Sequence, residues 1–158
     1  MIYMNTEKQT VLITGGARGI GAATARLFAA NGYNVIINYR TSKEKADALA
    51  AEIGGTAICA DVSNPDDVRR MFSGIDSIDV LINNAGLCGF YMLDAMTDNE
   101  WRKQIDTNLS SVFYCSRAAL PHMIHNKRGA IINVSSVWGI SGSACEVAYS
   151  AAKAGVIG

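Results

Sequence analysis

Short runs of consecutive apolar residues alternate along this chain with longer stretches whose apolar positions recur at helical spacing. Val11-Leu-Ile13, Val35-Ile-Ile37, Thr56 to Ala60, Val80-Leu-Ile82 and Ala130-Ile-Ile-Asn-Val134 are the short runs. Each predicts a strand buried on both faces. Between them, Gly19 to Ala30 carries Ile20, Ala23, Leu27 and Phe28 on one helical stripe and ends at Asn31-Gly32. Thr41-Ser42 opens a helix through Ala46, Leu49 and Ile53 that Gly54-Gly55 stops. Ser63-Asn-Pro-Asp-Asp67 reads as a helix start, with a capping side chain, a proline in the first turn and acids at the positive end. Thr97-Asp-Asn-Glu100 has capping-box spacing and opens a long helix to about His125. A loop rich in Ser and Gly follows the fifth strand, and a last helix carries Tyr149. Strand-helix repetition with doubly apolar strands predicts an α/β fold, a doubly wound parallel sheet in a three-layer αβα arrangement.

Composition narrows the picture. The 158 residues suit one domain, residues 1–158, with a full-sized core. The formal net charge is +0, so no electrostatic case exists for nucleic acid or an anionic membrane as partner. No apolar run reaches the ~18 residues of a membrane span, and Met1 to Thr10 has no basic start leading into an apolar stretch, so it is no secretory signal. Cys59, Cys88, Cys115 and Cys145 are widely spaced, form no C-x-x-C and sit in or near apolar segments. That favours buried, reduced thiols and a cytoplasmic setting. His122 and His125 share a helix face without a third ligand in sequence and read as solvated or packing residues, so no metal site is expected. Trp101 and Trp138 read as packing residues, with Trp138 also placed to line a pocket after the serine loop. The apolar helical pattern runs on through Ala154 to Gly158, which reads as a chain cut inside a helix, a partial domain.

Candidate chemistry gathers at the ends of the strands. Gly15, Gly19 and Gly21, with Arg18 and Ile20 between them, form a G-x3-G-x-G turn from the first strand into the first helix. There a pyrophosphate rests on a helix N-terminus in doubly wound folds. At the end of the second strand, where an acid would take the ribose 2′-hydroxyl of NAD, this chain has Asn38-Tyr39-Arg40. Arg18 and Arg40 suit a 2′-phosphate and hence NADP, or else point outward as solvated side chains. Asp61-Val62 and Asn83-Asn-Ala85-Gly86 end the third and fourth strands. Asp61 either accepts from an adenine amino group or caps a helix; Asn83, Ala85 and Gly86 let backbone approach a cofactor. Ser136 either holds a carbonyl oxygen or closes an ST-turn. Asn108, in mid-helix, marks a kink holding a water or a satisfied polar contact. Tyr149 and Lys153 are four apart and share one helix face, where a fixed ammonium stabilises a phenolate for proton transfer.

Taken in order, Thr14-Gly-x3-Gly-x-Gly21, Asp61, Asn83-Asn-Ala-Gly86, Asn108, Ser136 and Tyr149-x3-Lys153 resemble the short-chain dehydrogenase/reductases from residue 10 to 158. The resemblance implies a Rossmann-like sheet and an Asn-Ser-Tyr-Lys tetrad. Tyr149 would then be the proton donor to a carbonyl, and Lys153 would support it and hold the nicotinamide ribose. Ser136 would position the carbonyl, and Asn108 would anchor a relay water. Tyr149 and Lys153 count as cofactor contacts too. Within the family, Ala119-Leu-Pro-His-Met123 and Tyr149-Ser-Ala-Ala-Lys-Ala-Gly155 are similar to the 3-oxoacyl-acyl-carrier-protein reductases of fatty acid biosynthesis. Ser135-Ser-Val-Trp-Gly139 with Ala144-Cys-Glu-Val-Ala148 is similar to relatives that reduce the 5-aminopentanone group on elongation factor P. The implied protein is an NADP-dependent reductase of a small or carrier-bound ketone, a homo-tetramer or dimer as a full-length parent. Family members run to roughly 240 residues or more, so the expected fold lacks its last strands and substrate lid. A second class of reading follows: a catalytically inactive dinucleotide-binding or subunit-interaction fragment.

Overall fold

In the computed structural model, which describes residues 8–158, five strands form one parallel sheet in the order β3-β2-β1-β4-β5. The strands are β1 (Thr10–Ile13), β2 (Asn34–Tyr39), β3 (Thr56–Cys59), β4 (Val80–Asn83) and β5 (Ala130–Asn133). The helices between them are α1 (Gly19–Ala30), α2 (Lys43–Ile53), α3 (Pro65–Ser73), α4 (Asp98–Ile105) and α5 (Ser111–His125). Two further helices follow β5: a short α6 (Trp138–Ser141) and α7 (Val147–Ile157). This is the Rossmann-like three-layer fold read from the sequence. Of the segment read as no secretory signal, residues 1–7 lie outside the described residues.

Alternation along the central strand divides the core into two layers. Val11 and Ile13 join Val35, Ile37, Ala25, Ala46 and Leu49 under α1 and α2. Leu12, pointing the other way, joins Leu81, Val68, Phe72, Cys115 and Ala119 under α3 and α5. Leu12 pairs in register with Ile36 on one side and Leu81 on the other, so β1 is covered on both faces and both edges.

The helix ends follow the local chemistry. Asn64 caps α3, its Oδ1 accepting from the Asp66 and Asp67 amides at 2.9 and 3.4 Å, with Pro65 in the first turn. Thr97 and Glu100 close a capping box on α4. The Glu100 carboxyl is held below its ordinary value by the Thr97 amide and hydroxyl. The stretch predicted as one helix to His125 is helical throughout, but Asp106–Ser110 widens into a π-turn between α4 and α5. The loop predicted after β5 holds the extra helix α6.

Three expectations fail. The edge strands β3 and β5 are not buried on both faces: Thr56 and Cys59 are exposed in β3, and Ala130, Ile132 and Asn133 in β5. Cys115 alone of the four thiols is buried; Cys59 and Cys88 are exposed and Cys145 is half-buried. Cys59 lies on the edge strand β3, where one side of the sheet is open. Trp101 and Trp138 are 40% and 38% exposed, on the surface and not in the core.

Candidate active site

Order in β1 puts the glycine turn at the carboxyl edge of the sheet, at the point where β1 has β2 on one side and β4 on the other. The turn is laced to its neighbours. Thr14 Oγ1 accepts from the amides of Asn84 and Ala85, both at 3.0 Å. Asn84 Nδ2 donates back to the carbonyls of Thr14 and Gly15 at 2.9 and 3.1 Å. From β2, Asn38 Oδ1 accepts from the Gly15 amide at 3.3 Å, while its Nδ2 donates to the Ala60 carbonyl at 3.0 Å. The loops after β1, β2, β3 and β4 are therefore held as one rim.

α1 opens from this rim at Gly19 with no side-chain cap. Its first amides are left for a ligand, and an uncapped helix N-terminus is a natural seat for phosphate. Gly19 has φ +54°, and a Cβ built on it would meet nothing within 4 Å, so its face is open space. Gly21 does the opposite: a Cβ there would lie 2.6 Å from Asn84 Nδ2, so glycine lets α1 pack against the β4 loop. Beside the turn lies a cleft of about 410 Å³, bounded by Gly15, Arg18, Gly19, Ile20, Arg40, Asp61, Val62, Ala85 and Gly86. Bare amides, a glycine held open and basic side chains fit the residues to a phosphate-bearing dinucleotide.

At the far end of the cleft Arg40 Nη1 lies 3.5 Å from Asp61 Oδ2. Asp61 Oδ1 accepts from the Ser63 amide and hydroxyl at 3.0 and 2.6 Å. Asp61 therefore closes a turn, and the cap of α3 is Asn64, which removes the capping reading of Asp61. Arg18 is exposed where α1 begins, also on the cleft wall. The sequence places Asn83 at this site, but its Nδ2 donates to Ser116 Oγ and Asn133 Oδ1 at 3.1 and 2.9 Å, away from the cleft. Asn84, one residue on, is the side chain that braces the rim. Gly21 likewise serves packing and does not line the cleft.

The proton-handling groups converge from the other side. Asn108, 0% exposed, sits in the π-turn. Its Oδ1 accepts from the Leu87 amide at 2.9 Å, and its Nδ2 donates to the carbonyls of Leu87 and Gln104 at 2.7 and 2.8 Å. Of the two readings of Asn108, the side chain realises the satisfied polar contact: it ties the loop after β4 to the helix floor. Lys153 is 4% exposed and its Nζ donates to the Val134 carbonyl at 2.7 Å. Burial lowers its pKa from the ordinary 10.5. The ammonium lies 5.8 Å from the Tyr149 ring centroid. A Cβ on Gly86 would come within 3.1 Å of Asn108 Oδ1 and 3.9 Å of Lys153 Nζ, so Gly86 joins the cleft to the tetrad. Ser135 Oγ donates to the Lys153 carbonyl at 2.8 Å. Ser136 Oγ accepts from the Trp138 amide at 3.2 Å, which is the ST-turn. That bond uses a lone pair and leaves the hydroxyl proton free to be donated.

Several contributors were given no site role from the sequence, although Thr14 and Asn84 lie inside its motifs: Thr14, Asn38, Asn84, Thr107 and Glu146. Asn38, 2% exposed inside an otherwise apolar strand, is the one with a visible signal, because a buried amide needs partners. Glu146, 6% exposed, stands at the start of α7 one turn before Tyr149. It accepts from the Cys88 thiol at 3.2 Å. Burial, and after it the Glu146 carboxylate, push the Cys88 thiol up to about 11.

Comparison with known proteins agrees with this architecture. The family model described as short chain dehydrogenase matches residues 9–158. A 3-oxoacyl-[acyl-carrier-protein] reductase of Staphylococcus aureus is 45% identical, over 95% of this chain and 65% of its own length. The enzyme of that name from Synechocystis is also 45% identical, over 95% of this chain and 64% of its own. This chain thus spans about 65% of the length of the curated relatives it matches. A metagenomic short-chain oxidoreductase solved in complex with NADP superposes with a TM-score of 0.89 at 38% identity, covering 94% of this chain and 72% of that one. Fold, strand-edge geometry and sequence agree, and the chain belongs to the short chain dehydrogenase family.

Proposed function

We propose that this chain carries the site of a cytoplasmic NADP-dependent reductase of ketones, acting on a 3-oxoacyl thioester borne by acyl carrier protein. The observation that carries this reading is the buried Lys153 ammonium. It lies 5.8 Å from the Tyr149 ring centroid and on the side of Gly86 where a side chain would stand, which sets a proton donor next to the seat of a dinucleotide. Tyr149 and Lys153 stand behind Gly86 and do not line the cleft themselves; a bound nicotinamide ribose would reach them past Gly86.

The reduced nicotinamide, when bound, supplies the hydride. This chain's residues handle the proton. The Ser136 hydroxyl donates to the substrate carbonyl oxygen and steadies its growing negative charge. Tyr149 gives its phenolic proton to that oxygen, and the Lys153 ammonium stabilises the phenolate left behind. Asn108 holds the π-turn and the β4 loop beneath them. Arg18 and Arg40 would hold the 2′-phosphate of NADP, Arg40 being tied at present only by a long 3.5 Å contact with Asp61. A homo-tetramer or dimer is supported by the exposed apolar stripe Phe113, Leu120 and Ile124 on α5, 56%, 43% and 70% exposed.

One observation favours a second substrate. Glu146 is a buried carboxylate on the Tyr149 side of α7, with a thiol as its donor and no Lys, Arg or His of the described residues within ion-pairing distance. A buried charge calls for an opposite charge, and a ketone carrying an ammonium, such as the 5-aminopentanone group on elongation factor P, would supply it. A substrate panel decides. With NADPH, acetoacetyl thioester turnover unaffected by Glu146→Gln supports the first reading. Turnover confined to the aminopentanone-modified protein, and lost in Glu146→Gln, supports the second. No NADPH oxidation with either would leave the inactive binding fragment as the surviving account.

A further inference from the structure

Lys153 is gripped at both ends by consecutive residues of the strand end behind the cleft. Its Nζ donates to the Val134 carbonyl at 2.7 Å, and its own carbonyl accepts from Ser135 Oγ at 2.8 Å. Val134 is itself fixed: its amide donates to the Asn83 carbonyl at 2.9 Å and so continues the ladder between β4 and β5. α6 closes on the same peptide group. A Cβ on Gly139 would lie 2.7 Å from the Lys153 carbonyl carbon, 2.8 Å from its oxygen and 3.0 Å from the Ala154 nitrogen. The stretch 134–139 therefore bears on one residue of α7 from three sides, and none of Val134, Ser135 and Gly139 lines the dinucleotide cleft.

We propose that Ser135 is a positioning residue for the proton transfer. Its hydroxyl sets the register of α7 against the end of β5, and with it the place of Tyr149 relative to the substrate oxygen. A bond at Nζ alone would fix the tip of a flexible side chain and leave the helix beneath it free to slide. The Ser135 bond fixes the helix as well, and Tyr149, one turn earlier on α7, moves with it. A carbonyl oxygen has two lone pairs, so this bond adds to the helical one without displacing it. Ser136, the next residue, is the group that would hold the substrate carbonyl. One peptide link then separates the residue that fixes the proton donor's helix from the residue that fixes the acceptor. Ser135 itself touches neither substrate nor cofactor and acts through the Lys153 backbone. The inference rests on the reductase reading of this site.

The test compares Ser135→Ala, Ser135→Thr and Gly139→Ala with wild type. It reads kcat and KM for NADPH oxidation with acetoacetyl thioester, and NADPH Kd by fluorescence, at a temperature where circular dichroism shows each variant folded. A group misplaced by about 1 Å can lose about a hundredfold in rate, so Ser135→Ala should lower kcat by about tenfold or more. KM and Kd should stay within about threefold, because no binding contact is removed. Ser135→Thr keeps the donor and should recover kcat to within about threefold of wild type. Gly139→Ala pushes the same peptide group aside from α6 and should repeat the loss in kcat with KM spared. An unchanged kcat in Ser135→Ala, with wild type active, overturns the inference and leaves the reductase reading standing. Equal losses in Ser135→Ala and Ser135→Thr also overturn it, since the hydroxyl would then not be the cause. A rise in KM or Kd as large as the fall in kcat overturns it by placing Ser135 in binding. Failure of wild type to oxidise NADPH with any ketone overturns the reductase reading and the inference with it.

Discussion

Replacing Asn108 by alanine should cost stability before it costs chemistry. The side chain makes three hydrogen bonds at 2.7 to 2.9 Å, to both backbone groups of Leu87 and to the Gln104 carbonyl. Each is worth about 1 kcal/mol net, and a partner left bare in the interior costs about 1–3 kcal/mol. Leu87 is half-buried, so water can reach its freed groups in part, whereas the helix interior around Gln104, 2% exposed, stays dry. The sum is about 3 kcal/mol. For a chain of this size that corresponds to a Tm lower by about 10 °C. With a urea m-value of about 2 kcal/mol/M the midpoint falls by about 1.5 M. Asn108→Asp should do no better, because it keeps the acceptor for Leu87 but aims a second oxygen at two carbonyls. Equilibrium urea unfolding followed by circular dichroism reads both variants. A loss under about 0.5 kcal/mol for Asn108→Ala would refute the claim that this amide ties the β4 loop to the π-turn.

Three further outcomes follow from the same geometry. Cys88 is exposed, yet its thiol is raised from 9.0 to about 11. Thiolate is then about a hundredfold scarcer, and higher intrinsic nucleophilicity returns about tenfold, so iodoacetamide should label it about tenfold more slowly than an unperturbed thiol. Glu146→Gln should speed that labelling, and mass spectrometry that finds Cys88 reacting at the rate of a free cysteine peptide contradicts the assignment. Lys153 is lowered from 10.5 by burial, so between its folded value and 10.5 the unfolded chain binds the extra proton. Its contribution to stability therefore improves as pH rises through that window. Unfolding free energies from neutral pH to pH 10.5 should show a shallower upward slope in Lys153→Met than in wild type, and an identical slope would show the ammonium is not desolvated. Arg40→Ala should lower kcat/KM for NADPH by about tenfold or more while sparing NADH; equal losses for both would show that Arg40 does not read the 2′-phosphate.

Much of this architecture is legible in the sequence for definable reasons. Strands such as Val11-Leu-Ile13 are apolar on both faces because both are covered, so their runs are unbroken. Asn64-Pro65 and Thr97–Glu100 announce helix starts because capping is local chemistry. What the sequence hides is non-local. Asn108 signals an irregularity in the helix, but the π-turn at Asp106–Ser110 goes with its bonds to Leu87, a partner twenty-one positions earlier that the sequence does not name. Asn83 and Asn84 are interchangeable in a motif, but successive residues at a strand end face opposite ways, so only the fold decides that Asn84 braces the rim. The thiols of Cys59 and Cys88 sit in apolar surroundings in sequence and at an open edge or loop in space. The buried hydroxyl of Thr107, without a hydrogen-bond partner among the described residues, has no signature at all, because being unpartnered is a property of its surroundings.

The central claim is that Tyr149, supported by Lys153, gives the proton that completes ketone reduction. The direct measurement is NADPH oxidation in the presence of a 3-oxoacyl thioester by wild type and Tyr149→Phe, with NADPH binding measured alongside. Removing one phenolic oxygen takes away at most one cofactor hydrogen bond, so NADPH affinity should stay within about tenfold, while kcat falls by at least about a hundredfold, the share general acid catalysis supplies. Turnover by Tyr149→Phe at the wild-type rate, with binding intact, would contradict the account.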